Sequence, residues 1–164
     1  MEDYEKLLRE LNELAKAQEQ TEIEKTTARI KLLHRLEKVT PDLFGKFLAE
    51  KNASQVCISC GSSRLSVPES RTIPKPSPAD KHSKKSAEEK REWLVAQMHP
   101  YVTPTFNQPN DYPRLGIVDY RVSCLNCGHV HIYRAAPAVE WVEWYLANFG
   151  GTSYERFKQC LPFT

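Results

Sequence analysis

The chain has 164 residues, of which 40% are hydrophobic, and its formal net charge is +2. This length supports one hydrophobic core of moderate size together with an appendage. No apolar run approaches the ~20 residues that cross a bilayer. The acidic start Met1–Glu5 predicts that the chain carries no secretory signal peptide. Together with the five cysteines, this predicts a reducing compartment, cytoplasmic or nuclear.

The first 39 residues predict a long helical arm. From Glu2 to about Val39 there is no proline or glycine, and strong helix formers dominate. A helix of this length would extend ~57 Å. Its apolar residues fall into two heptad-spaced sets that are out of register with each other: Leu7, Leu11 and Leu14, then Ile23, Ile30 and Leu33. Such a narrow stripe is typical of a coiled coil or a helical hairpin.

The arm is expected to contact another protein, either a second copy of this chain or a different partner. The alternative is a solvated helix that lies against the rest of its own chain. The candidate interface residues are Leu7, Leu11, Leu14, Ile30 and Leu33.

A short second helix is predicted directly after the arm. Thr40 is a good cap, Pro41 fits the first helical position, and Asp42 suits the positive end of the helix dipole. The helix should end near Asn52. Its apolar face is formed by Leu43, Phe44, Phe47 and Leu48.

Two cysteine motifs share one pattern, in which two thiols are two residues apart and a glycine follows. They are Cys57-Ile58-Ser59-Cys60-Gly61 and Cys124-Leu125-Asn126-Cys127-Gly128. A Cys-x-x-Cys turn aims two sulfurs at one point, and a tetrahedral zinc ion takes four soft ligands. Glycine allows the left-handed backbone that closes such a turn. We therefore predict one structural zinc ion held by Cys57, Cys60, Cys124 and Cys127.

Other uses of these cysteines fit less well. A disulfide framework would leave Cys160 over, and a redox pair would need its first cysteine at a helix N-terminus. Iron bound by four thiolates remains a chemical alternative.

The chain between the motifs contains an insertion over residues 68–115, with eight of the eleven prolines. This composition favours an extended backbone that is only partly ordered. Ser86 and Glu89 have capping-box spacing, which predicts a short helix stopping before Pro100. The stretch Tyr101–Pro113 is expected to be an ordered loop.

Short strands are predicted around both cysteine motifs. Gln55–Ile58 and Arg64–Val67 flank the first motif, and Ile117–Ser123 and His129–Arg134 flank the second as a hairpin. One face of the hairpin is formed by Val118, Tyr120 and Val122. A broadly apolar helix from Pro137 to about Asn148 should cover the sheet, and a last short helix is expected near Tyr154–Cys160.

The two Cys-x-x-Cys-Gly turns and the hairpin resemble the zinc-ribbon group. The resemblance implies an α+β fold with a small four-cysteine zinc-ribbon hairpin core, packed helices and the long N-terminal arm. The expected domains are the arm, residues 1–39, and a zinc-ribbon domain, residues 40–164, which contains the insertion. Zinc ribbons serve in transcription, replication, ribosomes and small adaptors, so the resemblance indicates the fold much more closely than the function.

Catalysis is not expected at this site, because four thiolates fill the coordination shell that a hydrolytic zinc keeps open. His129 and His131 are predicted to share a strand face, which forces neither towards the metal. An HNH-like nuclease is a minor alternative with Asp80–His82 as its nearest motif. That enzyme would need a helix after the second motif, whereas Cys127 precedes a strand-like run.

Two binding functions remain. The first is a non-catalytic adaptor or regulator that docks on a protein partner, with transcription or replication machinery as the expected setting. The second is direct nucleic-acid binding through a basic insertion and the ribbon face. The candidate residues for the second function are Lys81, Lys84, Lys85, Arg121, His131 and Arg134.

Overall fold

The computed structural model describes residues 2–73, 86–108 and 112–149, with side chains from residue 9 onward. The described part is a mixture of helices and small antiparallel sheets, as expected for an α+β fold. Several predicted features lie outside it, namely the helix near Tyr154–Cys160, the Asp80–His82 motif and the lysines at 81, 84 and 85.

Helix α1 is the predicted long arm and runs over Glu2–Leu36. Its last turns differ from the rest, because Leu32 and Leu36 are buried in the core together with Val39 just beyond the helix end. The arm is therefore continuous with the body, and residues 9–31 form the part that extends away from it.

Helix α2, Pro41–Glu50, begins as the sequence predicts. The backbone N–H of Leu43 donates a hydrogen bond of 3.2 Å to the Thr40 hydroxyl, and Pro41 occupies the first turn. The buried ring of Phe44 packs 5.2 Å from Tyr120 of the sheet, measured between ring centroids. The ring of Phe47 lies 5.9 Å from Trp141. Helix α2 thus packs against both the sheet and the helix that contains Trp141.

The main sheet is built around one central strand, β5. Its members are β1 (Leu65–Ser66), β4 (Thr105–Phe106), β5 (Val118–Cys124) and β6 (Val130–Arg134). Strand β6 pairs with one edge of β5, and β1 and β4 share the other edge at opposite ends of the strand, all antiparallel. Val118, Tyr120 and Val122 of β5 are buried on one face, which confirms the predicted apolar face of the hairpin.

The described residues of the insertion contain short strands and a helix. Strands β2 (Glu69–Arg71) and β3 (Pro100–Val102) pair with each other, and helix α3 (Ala87–Gln97) lies between them in the chain. The capping box of α3 is confirmed, with both Ser86–Glu89 hydrogen bonds present.

Two short strands, β3 and β4, interrupt the predicted loop over Tyr101–Pro113, and the predicted strand over Gln55–Ile58 does not form. Val102 is fully buried, and its N–H donates a 2.8 Å hydrogen bond to the Val39 carbonyl, so tertiary contacts extend the backbone there. Residues 55–58 instead form bends and the first cysteine turn, and the flank on the other side keeps only the two residues of β1.

Helix α4, Ala135–Phe149, covers the sheet and begins two residues before the predicted Pro137. Its buried face contains Ala138, Val139 and Val142. Glu143 accepts two hydrogen bonds from Arg35, of 3.0 and 2.9 Å, and one of 3.3 Å from Lys38. This ion-pair group fixes the end of α1 on α4.

None of the helices in the described ranges has the length and apolar character that a membrane span requires.

Candidate metal centre

The first cysteine turn is closed by backbone hydrogen bonds. The Gly61 N–H donates to the Cys57 carbonyl at 2.8 Å, and the Cys57 N–H donates to the Ser62 carbonyl at 2.8 Å. Gly61 has a φ of 69°, in the left-handed region that glycine adopts without steric cost. The chain therefore turns back on itself around the two sulfurs.

The second turn repeats this pattern. The Gly128 N–H donates to the Cys124 carbonyl at 2.9 Å, the Cys124 N–H donates to the His129 carbonyl at 2.8 Å, and φ of Gly128 is 76°. Two distant segments with the same cysteine–glycine spacing thus adopt the same hydrogen-bonded turn, as their sequences predict.

The central strand brings the two turns together. Strand β1 follows the first turn, and strand β5 leads into the second. The two strands pair with each other, and Leu65 of β1 lies opposite Cys124 of β5. The backbone N–H of Leu125 also donates a 2.8 Å hydrogen bond to the Arg64 carbonyl. The insertion leaves the sheet after β1 and returns to the far end of β5 through β4. This path explains how ligands separated by residues 61–123 reach one site.

The four sulfurs converge on a single point. Cys57 Sγ lies 3.6 Å from Cys127 Sγ, and Cys60 Sγ lies 3.7 Å from Cys124 Sγ. All four sulfur atoms are within 4.8 Å of one another. Zinc–sulfur bonds of ~2.3 Å at tetrahedral angles place sulfurs roughly 3.8 Å apart, whereas a disulfide bond is about 2.05 Å long. The cysteines are free and are positioned to hold a metal ion.

Hydrogen bonds to sulfur favour thiolates within the site. The Asn126 side chain donates to Cys60 Sγ at 3.5 Å, and this bond, followed by one from the Ser62 backbone N–H, lowers the pKa of Cys60 to about 6. The backbone N–H of Cys127, and then that of Asn126, lowers the pKa of Cys124.

Crowding of the sulfurs acts in the opposite direction. The backbone N–H of His129 lowers the pKa of Cys127, but the neighbouring thiols, Cys60 first among them, and burial raise it to about 11. Four adjacent thiolates repel one another, so full ionisation of the site requires a cation among them.

The site lies at the surface of the fold. Cys57 and Cys124 are buried, whereas Cys60 and Cys127 are exposed. Each turn thus contributes one inward sulfur next to the sheet and one sulfur at the rim. Asn126 was missed by the sequence analysis, although its position between the two cysteines of the second turn was a usable signal. The first turn has Ser59 at that position.

The histidines stay outside the sulfur cluster. The rings of His129 and His131 contact each other almost at right angles, with centroids 5.0 Å apart. Within the described residues, the group positioned to bind a metal consists of the four cysteines alone.

The three hairpin residues predicted to bind nucleic acid do not share one face. His131 lies opposite Val122 in the register, on the inner face, whereas Arg121 lies opposite Ile132 on the outer face. Arg134 is also on the outer face and donates a hydrogen bond of 3.1 Å to the buried carboxylate of Asp119. Asp119 accepts a second bond, of 2.6 Å, from the Asn107 side chain, so this cluster fastens β4 to the hairpin. Lys81, Lys84 and Lys85 lie outside the described residues.

The predicted interface residues of the arm differ in exposure. Leu11, Leu14 and Ile30 are 54%, 61% and 47% exposed, respectively, and Leu33 is half-buried near the body. The backbone at Leu7 is helical.

Comparison with known proteins gives no relative for this chain: no protein-family model, no curated protein and no solved structure matches it.

Proposed function

We propose that this protein is a non-catalytic, zinc-stabilised adaptor that docks on a protein through its N-terminal arm. The convergence of four cysteine sulfurs at tetrahedral spacing carries the metal part of the proposal. Zinc suits a closed site of four thiolates, and such a site serves to fold a small domain. Its ligands come from both ends of the insertion, so metal binding would hold the body together.

The exposed arm supports the docking part of the proposal. A helix that belonged only to its own fold would bury an apolar face along its whole length. Here burial is confined to the last turns, while Leu11, Leu14 and Ile23 are each more than half exposed. The ion pairs of Arg35 and Lys38 with Glu143 hold the C-terminal end of α1 on helix α4.

Direct nucleic-acid binding is the second candidate, and Arg121 is the observation in its favour. This residue is exposed on the outer face of the hairpin, next to the exposed side chain of Ile132. The adaptor ranks first because Arg134 is engaged with Asp119 and His131 faces the other way.

The docking role can be tested by capture from an extract of the cells that produce the protein. The full chain is compared with a chain lacking residues 1–24 and with a Leu11→Ser/Leu14→Ser variant. Glu13→Ser/Gln20→Ser, on the opposite face of the helix, is the matched control. We expect a protein that is retained by the full chain and the control but lost from the other two.

A set of bound proteins that is unchanged by the deletion would contradict the docking role. The second candidate would be favoured if the full chain retained nucleic acid instead of a protein. That nucleic acid should be released as the salt concentration rises, and Arg121→Ala should reduce the amount retained.

A further inference from the structure

We propose that the arm pairs with the arm of a second copy of this chain, in antiparallel orientation, through residues 9–31 of α1. The inference rests on the proposed docking role of the arm and names its partner.

The first observation is the exposure of this segment. All residues from 9 to 31 are exposed except Lys25 and Ala28, which are half-buried. An isolated helix gains little stability from its own hydrogen bonds in water, so its stability in proteins comes mainly from packing of one face. The body supplies such packing only from Leu32 onward. A partner helix along residues 9–31 would supply the rest.

The second observation is a continuous stripe with alternating spacings of three and four residues. It consists of Leu11, Leu14, Gln18, Thr21, Lys25 and Ala28, and the next position is the buried Leu32. Alternation of this kind keeps one face of a helix against a second helix. The stripe is only partly apolar, which fits a reversible pairing. Ile23 and Ile30 lie on the opposite side of the helix.

The third observation is the distribution of charge along the helix, which decides the orientation. Residues 2–24 contain eight acidic and three basic side chains, whereas residues 25–38 contain five basic and one acidic. Parallel pairing would place the acidic halves side by side. Antiparallel pairing places each acidic half against a basic half, and it aligns the two helix dipoles in opposite directions. Both of these interactions are attractive.

The antiparallel arrangement has a definite register. With Gln18 opposite Thr21 of the second copy, Leu14 lies against the aliphatic stem of Lys25 and Leu11 lies against Ala28. Beside these layers, the exposed Glu10 meets the exposed Lys31 of the second copy. Twofold symmetry forms this charge pair twice.

A charge-reversal cycle tests both the pairing and its orientation. Sedimentation equilibrium is measured on the zinc-loaded full chain, on Glu10→Lys, on Lys31→Glu and on the double variant. We expect a dimer at tens of micromolar, about tenfold weaker in each single variant because two exposed pairs become repulsive. The double variant should regain the affinity of the unmodified chain.

Parallel pairing would give no such recovery, since residues 10 and 31 would lie about 31 Å apart at 1.5 Å per residue, well beyond the screening distance of ~8 Å. Gln20→Ser, an exposed position outside the stripe, is the matched control and should leave the dimer unchanged. Circular dichroism and zinc content establish that each variant is folded.

Three results would overturn the inference: a monomer at 100 µM, a double variant no stronger than the singles, or a dimer weakened by Gln20→Ser. A monomer would leave docking on a different protein to be decided by the capture experiment. A dimer that survives removal of residues 1–24 would contradict the inference, and the docking role of the arm would then be decided by the capture experiment.

Discussion

At the scale of single residues, the glycine after each cysteine pair determines the shape of the cysteine turn. Gly61 and Gly128 both have positive φ, and each donates the hydrogen bond that closes its turn. A side chain added at either position meets no atom within 4 Å, so the requirement for glycine comes from the backbone angle rather than from space. The sequence pattern alone was enough to predict this.

Substitution of these glycines should therefore be costly, and a third glycine provides the control. Gly61→Ala and Gly128→Ala should each lower the free energy of unfolding by about 1–2 kcal/mol, because alanine is strained in the left-handed region. Gly45→Ala, in the interior of α2 with equally open space, should raise it by about 0.5–1 kcal/mol. Urea unfolding of the zinc-loaded variants measures all three. Equal stability of Gly61→Ala and the unmodified protein would contradict this account of the turn.

At the scale of elements, helix starts and the hairpin were predictable because their signals are local. Thr40 and Pro41 predict the start of α2, and the Ser86–Glu89 pair predicts the start of α3. The short strands β3 and β4 were not predictable, because each is extended by partners distant in sequence. Strand β4 contains only Thr105 and Phe106 and forms through pairing with β5.

Strand alternation places the hairpin residues of the predicted nucleic-acid face on two different faces, which the sequence analysis did not anticipate. His131 and Arg134 are three positions apart on β6, which puts their side chains on opposite faces. The division within α1 was not visible either, since Leu32 and Leu36 continue the same helical pattern as the exposed leucines before them.

Helix α1 should accordingly respond to mutation in two different ways. In a chain lacking residues 1–24, the body should keep its metal and unfold at nearly the same temperature, because residues 9–24 are exposed. Leu36→Ala in that shortened chain should lower the free energy of unfolding by about 2–5 kcal/mol, since this side chain is fully buried. Thermal unfolding followed by circular dichroism measures both effects. Loss of the metal from the shortened chain would refute the division of the arm.

At the scale of the whole molecule, the four-cysteine cluster is the point where distant parts of the chain meet. The first turn follows α2, and the second lies between the two strands that α4 covers. Pairing of β1 with β5 aligns the turns, but β1 has only two residues, so few hydrogen bonds hold this junction. The four cysteines were found in the sequence by their spacing, whereas the path of the insertion between them required the structure.

Metal content of cysteine variants tests the central claim most directly. The purified chain should contain one zinc ion, and Cys57→Ser and Cys124→Ser should each lose it together with much of their thermal stability, because binding energy at such a site is folding energy. Cys160→Ser is the matched control and should keep both. Elemental mass spectrometry measures the zinc content of each purified protein. We expect one zinc ion per chain in the unmodified protein and in Cys160→Ser, and none in the other two variants. A full zinc ion per chain in Cys124→Ser would contradict the account.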